Sequence, residues 1–136
     1  MIVDTSIVVA LAAAEPSRDW IRRTLENHPR ERLRMAWVNI AEAAMVLERA
    51  SKGASAGLEA GLTALGVEPI EADYETIGAA IAARERFPLD FGDCFAYALA
   101  RTRGEALITL DADFLATDLQ VVLHPARMGS EPVNRL

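Results

Sequence analysis

Cysteine and long hydrophobic runs are both scarce in this chain. The only cysteine, Cys94, cannot form an intrachain disulfide, which is typical of proteins kept in a reducing compartment. No apolar run approaches the roughly 18 residues needed to span a bilayer. The opening residues MIVDTS lack a basic stretch and are interrupted by Asp4, so they do not resemble a secretion signal. We therefore expect a cytoplasmic protein with no membrane association.

The motifs of several enzyme classes are also absent. The sequence contains neither GxxxxGK[ST] nor GxGxxG, which cradle nucleotide phosphates, and it has no GxSxG around a nucleophilic serine. The two histidines, His28 and His124, each precede a proline in presumed loops and do not have the spacing of zinc ligands. Cys94 lies on the core side of its predicted helix, as a small buried hydrophobe does. The chemistry left open is that of carboxylates binding Mg²⁺ or Mn²⁺.

Positive charge is in short supply, since the net charge is −6 and Lys52 is the only lysine among 14 basic residues. This balance weighs against broad, unspecific binding of nucleic acid, although metal ions could still mediate contact with a phosphate substrate. Four arginines flank the last long predicted helix: Arg84, Arg86, Arg101 and Arg103. They are candidates for contacts with a phosphate backbone, but they fit equally well as solvated charges at helix ends.

The hydrophobic patterns predict strands that alternate with helices in one domain. The predicted strands are residues 1–3, 33–37, 67–70, 106–110 and 119–123, with 67–70 a candidate edge strand because of its proline. The predicted helices are residues 7–14, 17–26, 38–50, 55–65, 72–86 and 90–103, with a short helical turn at 113–114. This order indicates an α/β fold with a twisted, mostly parallel sheet of four to five strands flanked by helices. We assign residues 1–125 to the domain and 126–136 to a flexible tail.

Two predicted strands end in an aspartate. Asp4 follows the first strand, and Asp111 follows the strand at 106–110. Ligands of open parallel sheets bind beyond the carboxyl ends of the strands, so both side chains would meet at one edge if these strands are neighbours. Taken singly, each aspartate fits a helix cap or a turn at least as well.

Two further acids stand in less ordinary places. Glu42 has apolar neighbours one turn away, and its helix is apolar on nearly all sides, which predicts that the helix is buried. A buried carboxylate is costly unless it is paired, for example with Arg49, or holds a metal ion. Asp93 lies in the first turn of its helix, off the core side formed by Phe91, Cys94 and their neighbours, where it could face solvent or the rim of a cleft.

Four segments together resemble the PIN-domain ribonucleases, and more narrowly the VapC toxins of toxin–antitoxin pairs. These segments are MIVDTS at the N-terminus, EAAMVLER at residues 42–49, DFGDCFAYALA at 90–100 and ITLDADF at 108–114. They occur in the family's order and span nearly the whole chain. The segment at 90–100 is the most specific of the four.

The resemblance implies a Mg²⁺-dependent endoribonuclease, with Mn²⁺ also supporting activity. It assigns the catalytic acids Asp4, Glu42, Asp93 and Asp111, with Asp113 as the alternative for the fourth acid. Asp4 and Asp93 would ligate the metal directly and the other acids would complete the site, with the first-turn position helping to hold Asp93 ionised. Supporting hydroxyls would come from Thr5, Ser6 and Thr109.

The resemblance also implies partners. These are an RNA substrate and a cognate, VapB-like antitoxin that blocks the acidic pocket, in a toxin–antitoxin hetero-oligomer, and dimers of the chain itself are expected. The sequence also leaves two alternatives open. One is a non-catalytic PIN-like module that binds RNA or a partner, and the other is a metal-dependent nuclease or phosphatase with a different substrate.

Overall fold

Five short parallel strands form the centre of the molecule in the computed structural model, which describes residues 1–128. The strands are Ile2–Val3 (β1), Leu33–Ala36 (β2), Val67–Ile70 (β3), Leu107–Thr109 (β4) and Val121–Leu123 (β5). Their order across the sheet is β3-β2-β1-β4-β5, and every neighbouring pair is parallel. The predicted α/β architecture is therefore confirmed, and β3, with its proline, is an edge strand as expected.

Helices cover both faces of this sheet. The seven α-helices of the described residues are Thr5–Ala12 (α1), Arg18–Glu26 (α2), Trp37–Ala50 (α3), Leu58–Leu65 (α4), Tyr74–Arg86 (α5), Phe91–Arg103 (α6) and Pro125–Met128 (α7). There are also two 3-10 helices in the described residues: Ala54–Gly57 between α3 and α4, and Ala112–Ala116 between β4 and β5. Residues 126–128 of the predicted tail thus belong to a short helix, and residues 129–136 lie outside the described part of the chain, so the division at residue 125 stays a prediction.

Alternate residues of the central strands point to opposite faces, so the sheet has a core on each side. Val3 and Ile108 pack in one hydrophobic cluster with residues of α1, α2 and α3. Ile2 and Leu107 pack in the other, mainly with residues of α5 and α6. Burial on both faces explains why β1 and β4 lack the alternation of apolar and polar residues that is typical of a strand with one face in solvent.

Helix α6 crosses the second face and presents the segment that is most specific in the sequence. It starts at a capping box, and it ends at Gly104, whose φ of 65° gives the left-handed turn that closes a helix. Cys94 on this helix is free and buried, which confirms the sequence prediction. No helix within residues 1–128 is both long and apolar enough to cross a membrane.

Candidate active site

The ends of β1 and β4 bring Asp4 and Asp111 to the same edge of the sheet. These strands are hydrogen-bonded neighbours, with Ile2 opposite Leu107 and Val3 opposite Ile108. Both strands therefore end at the same edge of the sheet, and the residues that follow them lie side by side. The two strands on which the sequence argument depended are indeed adjacent.

Asp4 is a buried carboxylate, only 3% exposed. It occupies the N-cap position of α1, but its side chain makes no capping hydrogen bond. Its Oδ2 instead accepts hydrogen bonds from the hydroxyls of Ser6 and Thr109, each at 2.8 Å. Burial raises the pKa of Asp4, the two hydroxyl donors lower it, and the charge of Asp111 raises it further. The side chain of Asp4 is thus held by one hydroxyl of α1, that of Ser6, and by one at the end of β4, that of Thr109.

Backbone amides orient these two hydroxyls. Ser6 Oγ accepts a hydrogen bond from the Leu110 N–H at 3.0 Å, and Thr109 Oγ1 accepts one from the Asp111 N–H at 2.9 Å. Because each hydroxyl has only one proton, accepting from an amide leaves that proton for Asp4. Ser6 and Thr109 therefore both donate to the same oxygen of Asp4.

The third predicted hydroxyl serves another acid. Thr5 Oγ1 donates to Glu42 Oε1 at 2.5 Å, which is the length of a charge-assisted bond, and lies 3.2 Å from the Asn39 carbonyl oxygen. Glu42 is half-buried. Among the residues described, the ion pairs do not include one between Glu42 and Arg49, which is exposed.

The expectation that α3 is buried on nearly all sides is wrong. Met45 is 65% exposed and Val46 is 37% exposed, so one apolar side of this helix faces solvent. Hydrophobicity around a helix indicates that it can be buried, but the fold supplies neighbours for only part of α3. Phe91 was also predicted to lie on the core side of α6, but 70% of its surface is exposed.

Asp93 takes part in the capping box at the start of α6. The Asp93 N–H donates to Asp90 Oδ1 at 2.9 Å, and the Asp90 N–H donates to Asp93 Oδ2 at 3.4 Å. Desolvation, followed by the charges of Asp4, Asp90 and Asp111, raises the pKa of Asp93 to about 8. The helix N-terminus was expected to help hold Asp93 ionised, but burial and the neighbouring carboxylates outweigh it.

Four predicted acids line one cavity of about 430 Å³ at this edge, which we call the acidic cavity. Its carboxylates are Asp4, Glu15, Glu42, Asp93 and Asp111, and no lysine or arginine of the described residues lines it. Glu15 was not anticipated from the sequence. It follows Ala14, whose φ of 52° turns the chain back after α1, and a turn of this kind leaves no pattern in the sequence.

The alternative fourth acid, Asp113, is not among the residues lining the acidic cavity. Its N–H donates to Asp111 Oδ1 at 2.9 Å, at the start of the 3-10 helix. Asp111 does line the cavity, and its charge contributes to the raised pKa values of Asp4 and Asp93. The geometry therefore places Asp111, and not Asp113, with the other three acids.

Carboxylate oxygens are the ligands that Mg²⁺ and Mn²⁺ prefer, so the donor set fits a divalent cation. The charges of Asp4, Asp90 and Asp111 contribute, after desolvation, to the raised pKa of Asp93, and a bound cation would offset them. Within residues 1–128, however, no three His, Cys, Asp or Glu side chains are arranged to hold an ion as they stand. The hydroxyls bind one oxygen of each of two carboxylates, Oδ2 of Asp4 and Oε1 of Glu42.

The flanking arginines have other contacts. The Arg84 guanidinium donates to the Leu89 carbonyl at 2.7 Å, and Arg101 forms an ion pair with Asp118 at 3.4 Å. The Arg86 guanidinium lies 4.8 Å from the Phe87 ring centroid. These contacts favour the interpretation of the arginines as helix-end charges with local roles.

The sequence matches the PIN domain family over residues 1–119. This chain belongs to that family. It is 33% identical to ribonuclease VapC30 of Mycobacterium tuberculosis over 138 residues, which cover 92% of this chain and all of the relative. It is 30% identical to ribonuclease VapC of Mycolicibacterium smegmatis over 130 residues, which cover 90% of this chain and 99% of the relative. Within the PIN-domain family the chain is a VapC-type protein, and its activity class is that of an endoribonuclease.

Solved structures share the fold. VapC20 of Mycobacterium tuberculosis, described as a toxin that cleaves the sarcin–ricin loop, superposes with a TM-score of 0.74 at 20% identity, covering 87% of this chain and 95% of that one. VapBC2 of Rickettsia felis, bound to a promoter DNA fragment, gives a TM-score of 0.73 at 15% identity, covering 90% and 96%. PIN-domain ribonucleases generally depend on a divalent metal ion, in agreement with the carboxylates of the acidic cavity.

Proposed function

We propose that this chain is the toxin of a toxin–antitoxin pair and cuts RNA with Asp4, Glu42, Asp93 and Asp111 in the presence of Mg²⁺. One observation carries the proposal: four acids from distant parts of the sequence line one cavity at the carboxyl edge of the sheet. The ribonuclease relatives, which match nearly the full length, supply the reaction class. An enzyme of this class accounts for the clustered acids better than a non-catalytic module does.

Asp4 and Asp93 are the direct metal ligands in this proposal, and Glu42 and Asp111 complete the site. Ser6 and Thr109 hold Asp4 in a fixed orientation with their hydroxyl protons, and Thr5 does the same for Glu42. A divalent cation bound there would activate a water molecule for attack on the phosphodiester and stabilise the leaving oxygen. We expect Mn²⁺ to replace Mg²⁺, because both take carboxylate oxygen ligands.

RNA must be recognised largely outside the acidic cavity. Five carboxylates and no described basic side chain line it, so it attracts a phosphate only when a cation is present. Specific reading of RNA commonly targets unpaired or structured segments, and we propose such a segment as the substrate. One protein with this fold, VapC20 of Mycobacterium tuberculosis, is described as a toxin that cleaves the sarcin–ricin loop.

The proposed regulator is a cognate, VapB-like antitoxin. Solved structures with this fold include VapBC2 of Rickettsia felis and a toxin–antitoxin complex from Klebsiella pneumoniae. A basic side chain of the antitoxin could neutralise the acidic cavity, where it would meet several carboxylates at once. A hetero-oligomer with the antitoxin and a dimer of the chain stay predictions, as does a cytoplasmic location.

The test is RNA cleavage by the purified chain, freed of any partner, with Mg²⁺, with Mn²⁺ and with EDTA. Asp93→Asn keeps a side-chain oxygen for the capping box but cannot ionise to bind a metal ion, so we expect it to abolish metal-dependent cleavage. Asp111→Asn and Asp113→Asn form a matched pair, and only the first should lose activity, since only Asp111 lines the acidic cavity. Full activity of Asp93→Asn, or cleavage that persists in EDTA, would refute the proposal.

A further inference from the structure

Glu42 packs against a glycine of α6. An alanine methyl placed at position 92 in ideal geometry would lie 2.7 Å from both Cδ and Oε1 of Glu42, far inside ordinary contact distance. The carboxylate therefore occupies the space that any side chain at position 92 would fill. Oε1 is also the oxygen that accepts the Thr5 hydroxyl bond, so Glu42 is held between α1 and α6.

The backbone at Gly92 does not itself require glycine. Among the described residues, the glycines with positive φ are Gly53, Gly66 and Gly104, whereas Gly92 is the second residue of the right-handed helix α6. Glycine in a helix is unfavourable relative to alanine, so its presence there calls for another cause. The approach of the Glu42 carboxylate is such a cause, because it needs a position without a side chain.

A second contact fixes the distance between the same two helices. Asn39 is fully buried, and it lies three residues before Glu42, hence on the same side of α3. Its Nδ2 donates to the Gly92 carbonyl at 2.9 Å, and its own carbonyl oxygen lies 3.2 Å from the Thr5 hydroxyl. The spacing of α3 and α6 is thus set directly beside the point where Glu42 meets Gly92.

We propose that Gly92 and Asn39 are positioning residues for RNA cleavage. Gly92 leaves open the space from which Glu42 reaches the acidic cavity beside Asp93, and Asn39 holds α6 at the distance that this space requires. The inference rests on the proposed function, because it concerns the placement of one of its acids.

The chain offers a matched pair of substitutions. Gly92→Ala would push away the carboxylate, which is the movable end of a flexible side chain, so the fold should tolerate it. Gly78→Ala is the control, because Gly78 lies in α5, is exposed, and has no heavy atom within 4 Å of an added methyl. Both substitutions remove a helical glycine and should leave the metal-free Tm no lower than that of the wild type.

The measurements are RNA cleavage with Mn²⁺ and the rise in Tm that Mn²⁺ causes. We expect Gly92→Ala to lose at least tenfold in cleavage and to show a smaller Mn²⁺-induced rise, with Gly78→Ala like the wild type in both. Cleavage and a Mn²⁺ response for Gly92→Ala within twofold of the wild type would overturn the inference. A wild type that neither cuts RNA nor responds to Mn²⁺ would refute the proposed function instead.

A double-mutant cycle with Glu42→Ala separates positioning from general damage. If Gly92→Ala acts by displacing the Glu42 carboxylate, it should have no further effect on the Mn²⁺ response once that carboxylate is gone. In this background it should also raise the metal-free Tm by as much as Gly78→Ala does. The assigned role would be contradicted if Gly92→Ala reduced the Mn²⁺-induced rise in Tm by the same amount in the wild type and in the Glu42→Ala variant. This outcome can be measured whether or not the variants cut RNA.

Discussion

The raised pKa of Asp93 makes a measurable prediction about folding. With its pKa at about 8 and not at the ordinary 3.8, Asp93 keeps a proton in the folded state that it gives up in the unfolded chain throughout the interval between these values. Because the folded state binds more protons there, the free energy of unfolding falls as pH rises through that interval. This loss of stability is absent below the unfolded pKa of 3.8 and complete above the folded pKa of about 8.

Asp93→Asn removes the titration and keeps a neutral side chain of nearly the same shape. Between pH 5 and pH 9 the wild type would lose at most about 4 kcal/mol relative to the variant, at roughly 1.4 kcal/mol for each pH unit up to the folded pKa of about 8. Asp93 is only half-buried, so solvent screening reduces the expected loss to about 1–2 kcal/mol. The variant should therefore gain stability over the wild type as pH rises.

The assay is urea unfolding of both proteins in EDTA at several pH values from 5 to 9. Asp73→Asn serves as the control, since hydrogen bonds from Thr76 lower the pKa of Asp73 and its titration ends below this range. We expect the difference in free energy of unfolding between Asp93→Asn and the wild type to grow with pH. The corresponding difference for Asp73→Asn should stay constant. A difference for Asp93→Asn that is flat across the range would refute the reasoning from burial and clustered charge.

Two further substitutions test the core and the support of the site. Phe114 is fully buried, and Phe114→Ala should lower the free energy of unfolding by about 3–5 kcal/mol in urea titrations; a loss below about 1 kcal/mol would contradict the described packing. Thr109→Val keeps the shape but removes the hydroxyl that donates to Asp4, and we expect roughly a tenfold loss of RNA cleavage with an unchanged circular dichroism spectrum. Wild-type cleavage by Thr109→Val would mean that this hydrogen bond does not orient Asp4 for the reaction.

The order of strands and helices was predictable because it depends on local patterns. Short apolar runs that end in turn residues mark the strands, and the proline in β3 correctly marked an edge strand. The pairing of β1 with β4 joins residues more than 100 positions apart, and no local pattern reports such a contact. For that reason the sequence could predict that Asp4 and Asp111 lie together only on the assumption that their two strands are neighbours.

The surroundings of the acids were harder to predict than their identity. Glu42 was expected in an apolar interior, yet it is half-buried, and its carboxylate accepts the Thr5 hydroxyl bond and occupies the space that a side chain at Gly92 would fill. Helical periodicity reports the side of a helix on which a residue lies, but not which element packs there or how closely. The exposure of Met45 and the entry of Glu15 into the acidic cavity have the same origin, since both depend on tertiary neighbours.

The acidic cavity also reconciles a net charge of −6 with an RNA substrate. Five carboxylates repel a phosphodiester, and Asp93, with a pKa of about 8, relieves part of this repulsion at neutral pH by keeping a proton. If Asp93 ligates the cation as we propose, it must release that proton on binding, so cation affinity should increase with pH. The same cation turns a surface that repels phosphate into one that attracts it. In the proposed site the binding of metal and the binding of RNA would support each other, and the reacting phosphate would need no basic surface around the acids to approach them.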